Sequence, residues 1–206
     1  RFEFRAFANN FGIVEQRLRS SSPCQQIRES EEIYILSAGN DRNNTKIRAD
    51  MMDIKELIAQ TRGLEQWRPR MKGTFPLSAT VLRDEVFAAF GVLPPPLERD
   101  TYSLDELLTG VVRPHPQLVV AHVFKRRFGF TLNGCIAELA EVWINGAGLQ
   151  TAAVESTDPA AVLATRASLA LDAYENVNYL RAIKRVVGMQ PMSPQVPAST
   201  SFLSVR

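Results

Sequence analysis

The sequence predicts an α+β domain dominated by antiparallel β-sheet. About nine segments alternate polar and apolar residues or are rich in β-branched residues, as strands are. Turn-forming residues join several of these segments, and the helix-like segments between them are short. Because basic residues recur at alternate positions of the strand-like segments, we also expect one face of the sheet to be cationic.

In the N-terminal half, the alternation of polar and apolar side chains predicts strands at 1–7, 32–36, 45–48 and 67–77. A polar turn rich in Gly, Asn and Asp joins two of these segments, which predicts a hairpin over 31–49. Pro69 lies inside the last segment. Proline has no backbone N–H to donate, so we expect an edge or a bulge at that point.

Helices are predicted between these strands. Asp53 is a suitable N-cap for a short helix that ends near Gly63. Apolar spacing predicts further helical segments at 10–19, 82–90 and 103–108. The last of these begins with a capping box formed by Ser103 and Glu106, and the prolines at 94–96 predict a stiff connector.

The C-terminal half predicts a three-stranded meander followed by two helices. The strands are expected at 118–130, 135–144 and 149–155. Asn133 and Gly134 form a tight hairpin turn between the first two. Asp158 caps a helix that extends to about 170, and a last helix covers about 176–187. We therefore expect a domain at 1–187 and a proline-containing tail at 188–206.

Composition excludes several classes of protein. The chain has 206 residues, 45% of them hydrophobic, which suits one domain with a proper core. No segment reaches the roughly 18 to 20 apolar residues of a membrane span, so we expect a cytoplasmic protein without membrane contact. With 24 basic and 22 acidic residues the net charge is only +2, so nucleic acid is not indicated as a partner. Two isolated cysteines argue against a zinc site.

Basic residues that share one alternating phase recur on four strand segments, and they are the candidate phosphate-binding residues. They are Arg5, Lys46, Arg48, Arg68, Arg70, Lys72, Lys125 and Arg127. Period two places each set on one face, with apolar residues opposite, which predicts a polar lumen and an apolar exterior covered by helices. Such a cluster becomes favourable when carboxylates or a polyanion lie among the cations. The alternative is a solvated strand face, where Lys and Arg are common.

Acidic residues on the strands are candidate metal ligands. Metal-assisted phosphoryl transfer uses two or more carboxylates to hold Mg²⁺ or Mn²⁺, and Glu3, Glu138 and Glu155 lie on or at the ends of strands. Glu138 lies on the strand that pairs with the one carrying Lys125, and we take these two as the candidate catalytic residues. Each glutamate has an alternative role as a salt-bridge partner.

The order of these motifs resembles the CYTH, or triphosphate tunnel metalloenzyme, superfamily. Residues 1–5, Arg-Phe-Glu-Phe-Arg, are similar to its opening Glu-x-Glu-x-Lys strand. Residues 46–48, Lys-Ile-Arg, match its Lys/Arg-x-Arg strand, and residues 175–179 are similar to its terminal helix. The resemblance implies an eight-stranded antiparallel tunnel that binds triphosphates with a divalent metal. Arg1 and Ala153 stand where that family has acids.

Three functions follow from these observations. The first is a metal-dependent phosphohydrolase or phosphotransferase acting on a small phosphorylated ligand: a triphosphate, a nucleotide or polyphosphate. The second is a noncatalytic module that binds the same anions but has lost metal ligands, which the substitutions at Arg1 and Ala153 favour. The third is a protein-binding adaptor that uses Trp67, the proline connector and the tail.

Overall fold

The structure is a computed structural model that describes residues 1–190. The ten strands are β1 (Phe2–Ala8), β2 (Gln26–Ser37), β3 (Asn43–Arg48), β4 (Met51–Thr61), β5 (Leu64–Thr74), β6 (Leu77–Ser78), β7 (Thr101–Tyr102), β8 (Leu118–Leu132), β9 (Cys135–Ile144) and β10 (Ala147–Ser156). Eight of them form a closed barrel in the order β1-β10-β9-β8-β2-β3-β4-β5, and β6 and β7 form a separate pair. All pairings are antiparallel, which confirms the predicted fold class.

Short helices cover the outside of the barrel and one of its ends. They are α1 (Ile13–Ser21), α2 (Ala79–Val81), α3 (Ala88–Phe90), α4 (Leu104–Glu106), α5 (Pro159–Ser168) and α6 (Tyr179–Val186), with π-helical turns at Leu82–Phe87 and Leu107–Val112 and a 3-10 turn at Leu171–Ala173. The predicted capping box of Ser103 and Glu106 is present at the start of α4. Asp158 caps α5, with Pro159 in its first turn. Within residues 1–190 no helix is long and apolar enough to cross a bilayer.

The prediction of a helix between Asp53 and Gly63 is wrong, because most of this segment belongs to strand β4. Ile54 and Leu57 are spaced by three residues, which resembles one face of a helix. In the strand they point to opposite sides. Ile54 packs in the outer core, whereas Leu57 shares its phase with Lys55, which lines the lumen. Tertiary pairing with β3 and β5 therefore overrides the local helical spacing.

Hydrophobic residues pack both outside and inside the barrel. One outer cluster lies under α2 and α3 and includes Ile47, Met52 and Ile54, and a second lies under α1 and α5 and includes Phe4. The third cluster joins α6 to inward-facing strand residues such as Tyr34 and Leu36. Because α6 packs against the inner wall, one end of the lumen is closed and the polar residues occupy the other part.

Helix α6 is held in this position by a buried lysine. The ammonium of Lys184 is completely buried, and it donates to the carbonyls of Ala38 and Asn40 and to Asp41 in the β2–β3 turn. The helix begins at Tyr179 after its cap Asn178, so Tyr179 faces the polar part of the lumen. Most of the expected tail, residues 191–206, lies outside the described residues.

Candidate functional site

A cavity of about 370 Å³ occupies the polar part of the lumen. Six cationic side chains line it, namely Arg1, Arg5, Lys46, Lys55, Lys125 and Arg127. Three acidic side chains also line it, namely Glu3, Glu138 and Glu155. The cations come from β1, β3, β4 and β8, with Arg1 immediately before β1. Alternation along each strand points these residues inward while their neighbours face the outer helices.

Four of the eight expected phosphate-binding residues lie in this cavity, namely Arg5, Lys46, Lys125 and Arg127. Arg48 shares their phase but lies beside a larger cavity of about 700 Å³, lined largely by apolar residues such as Trp143 and Phe124. Lys72 pairs with Asp53, which itself pairs with Lys46, so Lys72 projects from the lumen face at an exposed position. It does not line the cavity.

Arg68 and Arg70 lie outside the cavity, in contrast to the expectation from period two. Trp67 lines the cavity, so Arg68 points outward and donates two hydrogen bonds to Glu56. No residue of β4 lies opposite Arg70 in the strand pairing, because the register shifts beside Pro69. This bulge is the one that the proline predicted, and it turns Arg70 towards Glu85 on the outer helical layer.

Glu32 is the central anion of the wall between these cations, and sequence reasoning did not identify it. Its side chain is fully buried, and its carboxylate accepts hydrogen bonds from Lys125 Nζ at 2.7 Å and from the Tyr34 hydroxyl at 2.9 Å. Lys46 Nζ lies 3.5 Å away and Arg127 Nη2 lies 3.8 Å away. Arg48 Nη1 also lies 3.5 Å from this carboxylate. One carboxylate thus partly neutralises four cations, so the group around it keeps excess positive charge.

The pKa values of this cluster reflect burial and mutual attraction. Burial alone would raise the pKa of Glu32, but attraction to Lys125 and Lys46 outweighs it and holds the pKa well below its usual range. Burial lowers the pKa of Lys125 to about 7 in spite of Glu32. Burial also lowers the pKa of Lys46. Protonation of these lysines therefore carries an energetic cost that a bound anion would offset.

Glu32 could have been identified from the alternation of Ser30, Glu32 and Tyr34. These residues share one face of β2, and Ser30 pairs directly with Lys125 on β8. Residues 26–31 are almost entirely polar, so the strand was expected only at 32–36. The missing half of the strand is the half that pairs with the basic segment of β8.

Arg5 organises the acidic side of the cavity. Its Nε donates to Glu3 Oε1 at 2.7 Å, and its Nη1 donates to Glu138 Oε1 at 3.1 Å and to the Thr151 hydroxyl at 3.3 Å. Burial would lower the pKa of Arg5, but attraction to Glu3 and Glu138 outweighs it and raises the pKa above its ordinary value. Arg5 is thus permanently charged and hydrogen-bonded to both carboxylates.

The glutamates do not fit a divalent metal. Glu3 and Glu138 share the guanidinium of Arg5, and Glu155 pairs with Arg1 at 3.2 Å. Mg²⁺ requires nearly octahedral oxygen ligands at about 2.0–2.1 Å, which these arginine-bound carboxylates do not supply together. Across residues 1–190 no group of three or more His, Cys, Asp or Glu is placed to hold a metal ion. The expected Mg²⁺ or Mn²⁺ site at Glu3, Glu138 and Glu155 therefore disagrees with this geometry.

Two donors in the cavity wall have no partner in the described part of the chain. Arg127 Nε and the Tyr179 hydroxyl are both buried without a hydrogen bond. Arg127 Nη2 donates to Ser30 at 2.6 Å, and Lys125 Nζ lies 3.5 Å from the Tyr179 ring centroid. Burial raises the pKa of Tyr179, so its hydroxyl keeps its proton. Buried donors are rarely left unpaired, so this wall is prepared for an acceptor.

Comparison with known proteins identifies relatives in structure only. No family model and no curated protein matches the sequence. HpAC1 from Hippeastrum is 11% identical with a TM-score of 0.50, covering 91% of this chain and 95% of that protein. The bh2851 protein of Bacillus halodurans is 12% identical with a TM-score of 0.47, covering 89% and 95%. PH1012 from Pyrococcus horikoshii is 15% identical with a TM-score of 0.46, covering 86% and 97%.

Identity of this size establishes the fold rather than the activity. The similarity to HpAC1 extends over nearly the whole of both chains. This chain forms a closed eight-stranded antiparallel barrel with flanking helices. The motif order pointed to the same architecture. The closed eight-stranded antiparallel barrel is the tunnel architecture that the resemblance to the CYTH superfamily implied, and the predicted fold is confirmed.

Proposed function

We propose that the chain binds a phosphate-rich anion, such as a triphosphate, a nucleotide or polyphosphate, in the lumen of the barrel. The observation that carries this proposal is the convergence of cations from four strands on one cavity that also presents unpaired donors from Arg127 and Tyr179. Arginine offers paired N–H groups to phosphate oxygens and lysine a compact charge. HpAC1, which has the same fold, is described as having a dominant triphosphatase activity, in agreement with this class of ligand.

The closed end of the lumen favours a short anion or the end of a chain. Tyr179, Leu180 and Ile183 of α6 fill the lumen opposite the cationic cavity. Arg1 and Lys55 are exposed at the other side, where the cavity meets solvent. A phosphate chain would therefore enter past these two residues and stop at the wall formed by Lys125 and Tyr179.

Tripolyphosphate is expected to stabilise the protein against thermal unfolding. A ligand present at 100 times its Kd adds about 2.7 kcal/mol to the free energy of unfolding, a rise of several degrees in Tm. The rise should be largest at low salt, because screening weakens contacts between charges. Differential scanning fluorimetry with tripolyphosphate, and with sodium chloride of equal ionic strength as control, measures it. Absence of stabilisation at low salt would contradict the proposal.

Metal-dependent phosphohydrolysis or phosphotransfer is the second candidate function. Glu3, Glu138 and Glu155 lie in the same cavity as Lys125, although each of them is paired with an arginine in the structure. Phosphate release from tripolyphosphate and ATP in the presence of Mg²⁺ or Mn²⁺ tests it. Turnover that is lost in Glu138→Gln would establish an enzyme with Glu138 as a catalytic residue. Stabilisation by tripolyphosphate without phosphate release supports a binding module.

Affinity for tripolyphosphate is expected to fall as the pH is raised above about 7. Burial lowers the pKa of Lys125 to about 7, and a bound anion favours the protonated lysine. Binding then takes up a proton, so affinity declines by up to about tenfold per pH unit above that pKa. Titration calorimetry between pH 6 and 9 measures the effect. Lys125→Met serves as control, since its pH dependence reports only the titration of the ligand and of other groups. Equal slopes for both proteins would contradict the assignment.

A further inference from the structure

We infer that the guanidinium of Arg5 takes the place of a divalent metal ion between Glu3 and Glu138, so that the lumen holds its anion without metal. The guanidinium is a resident cation with hydrogen bonds to one oxygen of each carboxylate, at 2.7 Å and 3.1 Å. Only the part of this inference that concerns the anion rests on the proposed function. The competition between arginine and metal does not.

Ala153 makes this arrangement possible. Arg5, Ala153 and Glu138 lie in one row across β1, β10 and β9, because Arg5 pairs with Ala153 and Ala153 pairs with Glu138. Directly paired residues project from the same face of a sheet. The methyl group of Ala153 leaves space for the Arg5 side chain to pass over β10 and reach Glu138 two strands away. A larger acidic side chain at this position would occupy that path.

The guanidinium cannot leave this position by losing its proton. Arginine stays charged throughout the range in which proteins are folded, and the side chain of Arg5 is only 12% exposed. A divalent ion would have to break both hydrogen bonds and move a buried cation while binding the same two carboxylates. Thr151 and the ring of Tyr179, 4.8 Å from Arg5 Cζ, hold the guanidinium further. The negative charges of Glu3 and Glu138 are thus already partly balanced by Arg5 when no ligand is bound.

A metal-independent site has a distinct response to Mg²⁺. If Arg5 supplies the charge that a metal would supply, tripolyphosphate should bind in EDTA at least as tightly as in Mg²⁺. Excess Mg²⁺ should weaken binding, since it coordinates the free phosphate chain and lowers its charge. Calorimetry of the wild-type chain in both buffers measures this. Binding that is at least tenfold tighter with Mg²⁺ would overturn the inference.

The role of Arg5 is tested without any anion by titrating metal-free protein with Mn²⁺ and following the free ion by electron paramagnetic resonance. Arg5→Ala releases two carboxylates and is expected to bind one Mn²⁺ at least tenfold more tightly than the wild type. Arg5→Gln is the second variant, because its polar side chain keeps more of the packing should the alanine variant not fold. Arg1→Ala is the matched control, since it removes a cation paired with the single carboxylate of Glu155.

The outcomes separate the two proposals. Weak Mn²⁺ binding by the wild type and by Arg1→Ala, together with tight binding by an Arg5 variant, supports the inference. Equal Mn²⁺ affinity in the wild type and in folded Arg5 variants overturns it. If tripolyphosphate binds in neither buffer, the proposed function fails, and the Mn²⁺ titration still decides whether Arg5 replaces the metal.

Discussion

Glu32→Gln is expected to lower the free energy of unfolding by about 3 to 5 kcal/mol, the usual cost of removing one partner of a buried ion pair. Glu32 is fully buried and lies 2.7 Å from Lys125, whose side chain is 3% exposed. Glutamine keeps the shape of the side chain but leaves Lys125 among Lys46 and Arg127 without a carboxylate. Urea denaturation near pH 6, where the lysines are charged, measures the loss.

The cost of Glu32→Gln should shrink as the pH rises. The folded state lowers the pKa of Lys125, and loss of Glu32 lowers it further. In the variant, Lys125 loses its proton at a lower pH than in the wild type, so the variant begins to gain stability with pH before the wild type does. The cost therefore shrinks up to about pH 7, where Lys125 of the wild type titrates, and above that pH both proteins gain stability alike. Glu31→Gln is the matched control, because Glu31 is exposed on the opposite face of β2 and should change stability by less than about 0.5 kcal/mol. Similar losses in both variants would contradict this role of Glu32.

The fold was predictable from the sequence because most strands alternate strictly. In β1, for example, apolar Phe2 and Phe4 alternate with charged Glu3 and Arg5. The structure keeps this alternation, because helices cover the apolar outer face and the charged side chains line the lumen. The exception is β4. Local spacing cannot reveal which face a strand turns to the core when both faces are partly buried, and only pairing with β3 and β5 settles it.

The sequence predicts four of the six cationic residues that line the candidate site, but it does not predict which carboxylates pair with them. Alternation alone brings Arg5, Lys46, Lys125 and Arg127 to one face of the sheet, and barrel closure brings that face into one cavity. Their ion-pair partners depend on the register between strands. The sequence does not specify that register, so it predicts neither the pairing of Glu32 with Lys125 nor that of Glu138 with Arg5.

Position within a strand does not establish whether a basic residue faces the lumen when a bulge intervenes. Trp67, Arg68 and Arg70 illustrate this, since the tryptophan lines the cavity while both arginines lie outside it. The bulge at Pro69 interrupts the alternation along β5, so Arg68 and Arg70 do not face the lumen as strict alternation predicts. The barrel wall thus carries Arg127 on its lumen side and Arg68 on its outer side. Replacing each in turn tests whether the cavity binds the anion.

Arg127→Ala is expected to weaken tripolyphosphate binding by about tenfold to a hundredfold, corresponding to loss of a charged hydrogen bond worth roughly 1.5 to 3 kcal/mol. Arg127 has an unpaired Nε in the cavity wall, and its Nη2 is held by Ser30, so the side chain is already oriented. Titration calorimetry at about 0.15 M salt measures the affinity. Urea denaturation of the same variant establishes that the barrel remains folded.

Arg68→Ala is the matched control, because it removes the same charge from the outer side of the barrel. Arg68 is 62% exposed and pairs with Glu56 rather than with any cavity residue. At about 0.15 M salt the Debye length is roughly 8 Å, so its field reaches the lumen only weakly. Its affinity should stay within about twofold of the wild type. Equal weakening by both variants would mean that the affinity depends on the net charge of the protein. That result would contradict the lumen as the binding site.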